Sequence, residues 1–163
     1  MNFVLIIFLY FSSPTQRYAA KINAASMLSN EDFNKVDTSR IAVLPLDKRD
    51  SRQFTKGDRQ ADLSLDEINK IEMLVDSAAK ENNKKYGKAF HIENPSKYYK
   101  QLIAVINDRG EKEVWVNCFC HLPQGFDWKK NVILVLDGGS CFFNVRVNLT
   151  KGLAFDFSVN NYE

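Results

Sequence analysis

Residues 63–87, LSLDEINKIEMLVDSAAKENNKKYG, constrain the fold more than any other stretch of the chain. Ser64 and Glu67 stand three positions apart, the spacing of a capping box that begins a helix. Gly87 stands where a helix commonly ends, because glycine readily adopts the left-handed backbone needed there. Apolar residues recur at helical spacing: Ile68, Ile71, Leu74, Val75, Ala78 and Ala79. We therefore predict one amphipathic helix over 65–86, about six turns long.

After the helix, apolar and polar residues alternate with a period of two, the pattern of strands with one buried face. Residues 98–107 and 112–120 flank a turn that contains Gly110, and 153–160 follows 141–149 after a second tight turn. Before the helix, residues 40–46 predict a strand that lies at a sheet edge or ends at Pro45, because Pro45 lacks a backbone N–H. The expected fold class is α+β, with the long amphipathic helix packed on a coiled four- to five-stranded antiparallel meander.

Two adjacent glycines interrupt the strand-like run VLDGGSCFFNVRVNL at residues 135–149. Together with the apolar residues before it, the run would form a strand of about 19 residues. Such a strand would be more than about 60 Å long, too long to stay flat against one helix. We predict that Gly138 and Gly139 form a bulge or kink that coils the sheet. The alternative is that they let a ligand approach the backbone, with Asp137 and Ser140 as polar contacts.

The N-terminal run FVLIIFLYF, residues 3–11, is apolar and is followed by small residues. It is shorter than the roughly 20 residues that a helix needs to span a bilayer. We predict a signal peptide over 1–20, a flexible lead-in over 21–39 and a single α+β domain over 40–163. A buried strand or an uncleaved anchor is the alternative for the apolar run. The predicted location is the periplasm or the exterior of the cell.

The order of strand, long helix and four-stranded meander resembles the cystatin-like and nuclear-transport-factor-like group of wrapped folds. The runs GEKEVWVNCFC, VLDGGSCFFNVRVNL and DFSVN are also similar to small exported proteins of Bacteroidetes-type bacteria. The first resemblance implies a helix wrapped by a sheet. The second implies export and brings no catalytic residues.

Inhibition of papain-like proteases, the activity of true cystatins, is not expected here. In that family a Q-x-V-x-G hairpin tip and an adjacent Pro-Trp pair enter the protease. In this chain the first tip reads NDRGE, and Pro123 and Trp128 are five positions apart. The inhibitory motifs are therefore missing.

The three cysteines, Cys118, Cys120 and Cys141, allow two interpretations. Cys118 and Cys120 are two apart on one predicted strand, a poor geometry for a disulfide. Cys141 belongs to a neighbouring strand, so a cross-strand disulfide is possible, with Cys120 and Cys141 as the candidate pair. Three buried free thiols are the alternative, since cysteine packs as a small hydrophobic residue.

Sequence patterns for catalysis and metal binding are weak. CFCH at 118–121 offers two thiols and an imidazole, but zinc commonly takes four ligands from loops, and only His91 and Asp137 stand as further candidates. The chain has no nucleophile elbow, P-loop or dinucleotide fingerprint. We expect no metal, no cofactor and no catalytic residues, and these patterns favour a protein that is not an enzyme.

A formal charge of only +2 predicts no general attraction to nucleic acid. The first hypothesis is therefore a non-catalytic exported module that binds another protein or a cell-surface component. The second is a small-molecule pocket or small enzyme in the cone of the sheet, and the third is an immunity or inhibitor protein using the loop 122–129. Candidate binding residues are Tyr99, Trp115, Phe119, Phe142 and Asp137. No stable membrane span is expected, and the sequence leaves the oligomeric state open.

Overall fold

The computed structural model describes residues 36–47 and 53–161. The predicted signal peptide, 1–20, and residues 21–35 of the predicted lead-in lie outside these ranges. Within the described ranges, no helix combines the length and the apolar character that a membrane span requires.

Helix α1 spans Leu65–Tyr86, which confirms the predicted bounds. The capping box is formed: the Ser64 hydroxyl accepts a hydrogen bond from the Glu67 N–H at 3.2 Å, and the Glu67 carboxylate accepts one from the Ser64 N–H at 2.9 Å. Gly87 ends the helix with a φ of 61°. The predicted apolar stripe faces the sheet, so burial of this stripe fixes the rotation of the helix about its axis.

The sheet contains six strands and is mostly antiparallel. Four of them form the predicted meander after the helix: β3 (Tyr99–Ile106), β4 (Lys112–Phe119), β5 (Phe142–Asn148) and β6 (Leu153–Val159). Two short strands precede the helix, β1 (Ile41–Val43) and β2 (Arg59–Gln60), and both pair with β3. The α+β class is therefore confirmed.

Strand β1 corrects one expectation about the sheet. It lies at the sheet edge, as predicted, but it is shorter than 40–46 and runs parallel to β3. The long connection through β2 and α1 allows this direction, because a parallel pair needs a crossover rather than a hairpin. The sheet is therefore mixed at this edge.

Both faces of the sheet are covered. Side chains at alternate positions of β3, β4 and β5 face α1, among them Leu102, Val116 and Val145. The intervening positions form a second apolar cluster with residues of the β1–α1 and β4–β5 connections. Its buried members are Ala42, Leu44, Phe54, Ile103, Val105, Trp115, Phe119, Trp128, Ile133 and Phe142.

The predicted kinked strand through Gly138 and Gly139 is wrong. Residues 131–138 form no strand, and β5 begins only at Phe142. Gly138 and Gly139 have φ values of 87° and 57° and lead into a 3-10 turn over Gly139–Cys141. A Cβ atom at residue 138 would lie 2.6 Å from the Phe142 ring. The glycines thus make a tight turn before β5, where a larger residue would be both strained and crowded.

Candidate functional site

The connection between β4 and β5, residues 120–141, packs on the sheet face opposite α1, and we call it the cover segment. Its Trp128 and Ile133 are buried in the second apolar cluster. Trp128 contacts Tyr99 and Phe119, with ring centroids 5.4 and 5.9 Å apart. The cover segment therefore closes the face that the sequence suggested as an open cone.

Two buried amide side chains fasten the cover segment to the sheet. Gln101 Nε2 donates to the carbonyl oxygens of Trp128 at 2.6 Å and Asn131 at 2.7 Å. Gln101 Oε1 accepts from the Ile133 N–H at 2.9 Å, and Asn117 Nδ2 donates to the Ile133 carbonyl at 2.8 Å. Because side chains satisfy both backbone groups of Ile133, this apolar run needs no neighbouring strand.

The predicted aromatic binding residues divide into two groups. Tyr99 and Phe119 stack on each other, with centroids 6.0 Å apart, and pack against Trp128 as core residues. Trp115 and Phe142 instead line a cleft of about 220 Å³ between the sheet and residues 132–136 of the cover segment. Of the predicted aromatic residues, Trp115 and Phe142 therefore line this cleft, and Tyr99 and Phe119 do not.

The cleft has a mixed lining, in which Gln53, Asn117, Asn144 and Asn160 stand beside apolar side chains. Leu134 and Leu136 line it on the side of the cover segment, and their side chains are 60% and 91% exposed. Trp115, on the side of the sheet, is buried, and among the described residues its indole N–H has no acceptor. Buried indole N–H groups usually have a partner, so this donor is unusual, but its nitrogen is covered by protein and does not reach the free space of the cleft.

Asp137, the fifth predicted binding residue, is exposed and does not line the cleft. Its backbone carbonyl accepts a hydrogen bond from Asn160 Nδ2 at 3.0 Å, and the Val135 carbonyl accepts one from the same amide at 2.6 Å. Asn160, which follows β6, thus anchors the C-terminal part of the cover segment. No sequence motif marks Asn160, Gln101 or Asn117 as residues of this site.

The ends of the cover segment are joined by a disulfide between Cys120 and Cys141, the candidate pair from the sequence. Their Cα atoms are 5.0 Å apart, and the Cys120 N–H donates to the Cys141 carbonyl at 3.0 Å. Cys118 lies on the other face, in the core under α1, where burial raises the pKa of its thiol to about 12. The thiol of Cys118 is therefore neutral and inert at physiological pH.

His121 lies beside the disulfide. Its Nδ1 is 3.4 Å from Cys120 Sγ and 3.2 Å from Cys141 Sγ. The ring makes an edge contact with Phe142 at 5.5 Å between centroids. Of the metal-ligating side chains in the described ranges, these three come together as a group, whereas Cys118, His91 and Asp137 do not join it.

A buried ion pair lies on the helix side of the sheet. Lys100 Nζ is 3.1 Å from a Glu72 carboxylate oxygen, and it donates to the Pro95 carbonyl at 2.9 Å. Burial raises the pKa of Glu72, although the Lys100 ammonium opposes that shift. The pair is enclosed by protein, so we interpret it as part of the packing between β3 and α1.

Comparisons with protein-family models, curated protein sequences and solved structures found no match. The candidate site is therefore defined by its own geometry: a cover segment held by buried amides, a cleft lined by Trp115 and Phe142, and a disulfide next to a histidine.

Proposed function

We propose that the chain is a non-catalytic exported module that binds another protein through the cover segment. The observation that carries the proposal is the exposure of Leu134 and Leu136 in a segment where Asn117 holds the Ile133 carbonyl and Asn160 holds the Val135 carbonyl. A leucine side chain that is 91% exposed contributes little to the stability of the fold. Its burial by a partner would stabilise the complex by about 1.5–3 kcal/mol. Exposed apolar groups that are grouped together commonly mark interaction sites.

The cleft beside these leucines favours a protein partner over a free small molecule. Its volume of about 220 Å³ is below the roughly 300–1,000 Å³ typical of small-molecule pockets. A single apolar side chain of a partner would fit such a space and could contact the Trp115 and Phe142 rings that line it. Rigid fastening by Gln101 and Asn117 would reduce the entropy lost on binding.

Export is part of the same proposal. The apolar run at 3–11 has the character of a signal peptide, and the exposed disulfide is of the kind that persists in oxidising compartments. A cystatin-like wrapped fold is also proposed, supported by the single helix packed on the meander of β3 to β6.

The test compares matched leucine substitutions in the exported chain. Leu134→Ser with Leu136→Ser removes the proposed contact, and Leu65→Ser is the control, because Leu65 is 69% exposed in the first turn of α1. Proteins retained from an envelope extract are identified, and the Kd of the purified partner is measured. We expect the double variant to weaken binding at least about tenfold, the effect of about 1.4 kcal/mol. Equal binding by all three proteins would rule out this surface.

Small-molecule binding is the second candidate, and the cleft lined by Trp115 and Phe142 is the observation that favours it. Protein isolated from its natural source would then carry an additional mass under native conditions that is lost on denaturation. Trp115→Phe keeps an aromatic ring but removes part of this wall of the cleft, so it should lower the retained fraction. This result, without a protein partner, would replace the first proposal.

An immunity or inhibitor role is a special case of protein binding, in which the partner is an enzyme. Leu122 and Phe126, in the predicted loop 122–129, are both exposed. Activity of the captured partner, measured with and without this chain, would distinguish this case from simple adhesion.

A further inference from the structure

The donor atoms of Cys120, His121 and Cys141 lie within 4.8 Å of one another. Cys120 and His121 are exposed and Cys141 is half-buried, so both a reductant and a cation can reach them. We propose that the reduced form of this group binds one thiophilic cation, Zn²⁺ or Cu⁺, and that the disulfide is its oxidised, metal-free state. This inference does not depend on the proposed binding function.

The distances suit a metal centre. With Zn–S bonds of about 2.3 Å and a Zn–N bond of about 2.0 Å, tetrahedral geometry sets each N···S separation near 3.5 Å. The observed separations between His121 Nδ1 and the two sulfurs are 3.4 and 3.2 Å. Only the sulfur atoms must move apart, to about 3.7 Å, and rotation about their Cα–Cβ bonds allows this.

The backbone keeps the three side chains together after the disulfide is reduced. The Cys120 N–H bonds the Cys141 carbonyl, and Phe119 and Phe142, the neighbouring residues, are paired across β4 and β5. The contact between His121 and Phe142 restricts the imidazole ring. The donor set is therefore held by the sheet and does not rely on the S–S bond.

The chemistry balances with a dithiol as the reductant. The dithiol transfers two electrons and two protons to the Cys120–Cys141 disulfide and becomes a disulfide itself, leaving two cysteine thiols. Binding of the cation then releases these two protons to solvent as both sulfurs become thiolate ligands. Two thiolates and one imidazole suit Cu⁺ with three ligands, or Zn²⁺ with a water as the fourth.

The test uses the full chain without an affinity tag. The protein is reduced with a phosphine, freed of it under anaerobic conditions, and titrated with Zn²⁺ or Cu⁺ while native mass spectrometry counts bound ions. We expect one ion per chain in the reduced form and none in the oxidised form. A chelator competition with each ion then gives the Kd and shows which of the two binds more tightly.

Matched variants identify the ligands. Cys120→Ser and Cys141→Ser should abolish stoichiometric binding, and His121→Ala should raise the Kd at least about tenfold. The controls are Cys118→Ala, which removes a thiol outside the group, and His91→Ala, which removes the other, exposed histidine. Co²⁺ provides a second readout, because thiolate-to-cobalt absorption must disappear in the cysteine variants. Failure of the reduced protein to bind either ion, or binding that is unchanged in His121→Ala, would overturn the proposal.

Discussion

Gln101 on β3 and Asn117 on β4 lie directly opposite each other, and Asn117 Nδ2 donates to Gln101 Oε1 at 3.1 Å. Both amides are buried on the face covered by the 120–141 segment, where their remaining groups bond its backbone. The pair therefore does for this segment what a neighbouring strand does in a sheet: it satisfies backbone groups that would otherwise be buried without partners.

Loss of this pair should destabilise the protein. Gln101→Leu leaves the Ile133 N–H and two backbone carbonyls without their partner, and each buried group left unpaired costs about 1–3 kcal/mol. Urea denaturation should therefore show a fall of at least about 2 kcal/mol in the free energy of unfolding. Asn131→Ala is the control, because its side chain makes only an exposed hydrogen bond to the Asp127 carbonyl, while its backbone carbonyl, which bonds Gln101, is kept; we expect a change within about 0.5 kcal/mol.

Removal of the disulfide should also lower stability. Cys120 and Cys141 are 21 positions apart, and closing a loop of that length in the unfolded chain contributes about 3 kcal/mol. The double variant Cys120→Ser, Cys141→Ser should show this loss in denaturation under oxidising conditions. In the presence of a reductant the difference from the unmodified protein should nearly vanish, and a persistent difference would point to packing rather than to the crosslink.

The three thiols should differ in reactivity. Under native, non-reducing conditions iodoacetamide at pH 8 should modify none of them, because Cys120 and Cys141 are joined and Cys118 is buried with a pKa of about 12. After reduction alone, iodoacetamide should modify Cys120 and Cys141. After reduction and denaturation together, it should also modify Cys118. Peptide mapping identifies the modified residues, and early labelling of Cys118 would contradict the predicted packing.

Acid should weaken the tip of the β3–β4 hairpin. Hydrogen bonds from Lys151, and then from Asn148, Asn107 and Arg109, lower the pKa of Glu111 from 4.5 to about 2. At a pH between these two pKa values, Glu111 is protonated in the unfolded chain but ionised in the folded one. The hydrogen bonds of the Glu111 carboxylate therefore stabilise the fold above about pH 4.5, and this stabilisation is lost as the pH falls towards 2.

The melting temperature measured from pH 6 to pH 2 checks this. Glu111→Gln should flatten the acid limb of the curve, and Lys151→Ala should flatten it partly. Lys80→Ala is the matched control, because this exposed lysine pairs with Asp76 on α1, away from the hairpin. A Glu111→Gln curve parallel to that of the unmodified protein would show that other groups dominate.

For the buried pair of Glu72 and Lys100, we predict that replacing one partner lowers the free energy of unfolding more than replacing both. Glu72→Gln leaves the Lys100 ammonium in the core without its counter-charge and should cost about 3 kcal/mol. Lys100→Met combined with Glu72→Leu removes both charges and fills a similar volume, so it should recover most of that loss. Urea denaturation of the single and double variants measures both values, and a double variant less stable than Glu72→Gln would contradict the argument.

The helix and the hairpins could be predicted from sequence because their signals are local. Ser64, Glu67 and Gly87 specify the ends of α1 through contacts within a few residues, and Gly110 marks the first hairpin turn. Element order alone then leads to an α+β sheet with a helix on one face.

The cover segment could not be predicted in the same way. Val132 to Leu136 have the composition of a strand, and what removes them from the sheet is hydrogen bonding to Gln101 and Asn117, about 15 to 30 positions earlier in the chain. One sign of the cover segment can be read from the sequence. Gln101 in β3 and Asn117 in β4 are polar residues at buried positions of strands that are otherwise apolar. From sequence we predict that Tyr99 and Phe119 line a pocket, because no local pattern indicates that Trp128 covers them.

The short distance between the ends of the cover segment has a consequence for how such a chain can change over evolutionary time. Because the Cα atoms of Cys120 and Cys141 are 5.0 Å apart, inserts of many lengths can start and finish there without disturbing the register of β4 and β5. Shortening the cover segment to a tight turn would expose Trp115, Gln101 and Asn117 to water. The cover segment can therefore be exchanged for another segment but cannot be deleted. New recognition surfaces can arise between β4 and β5 while the sheet keeps its geometry.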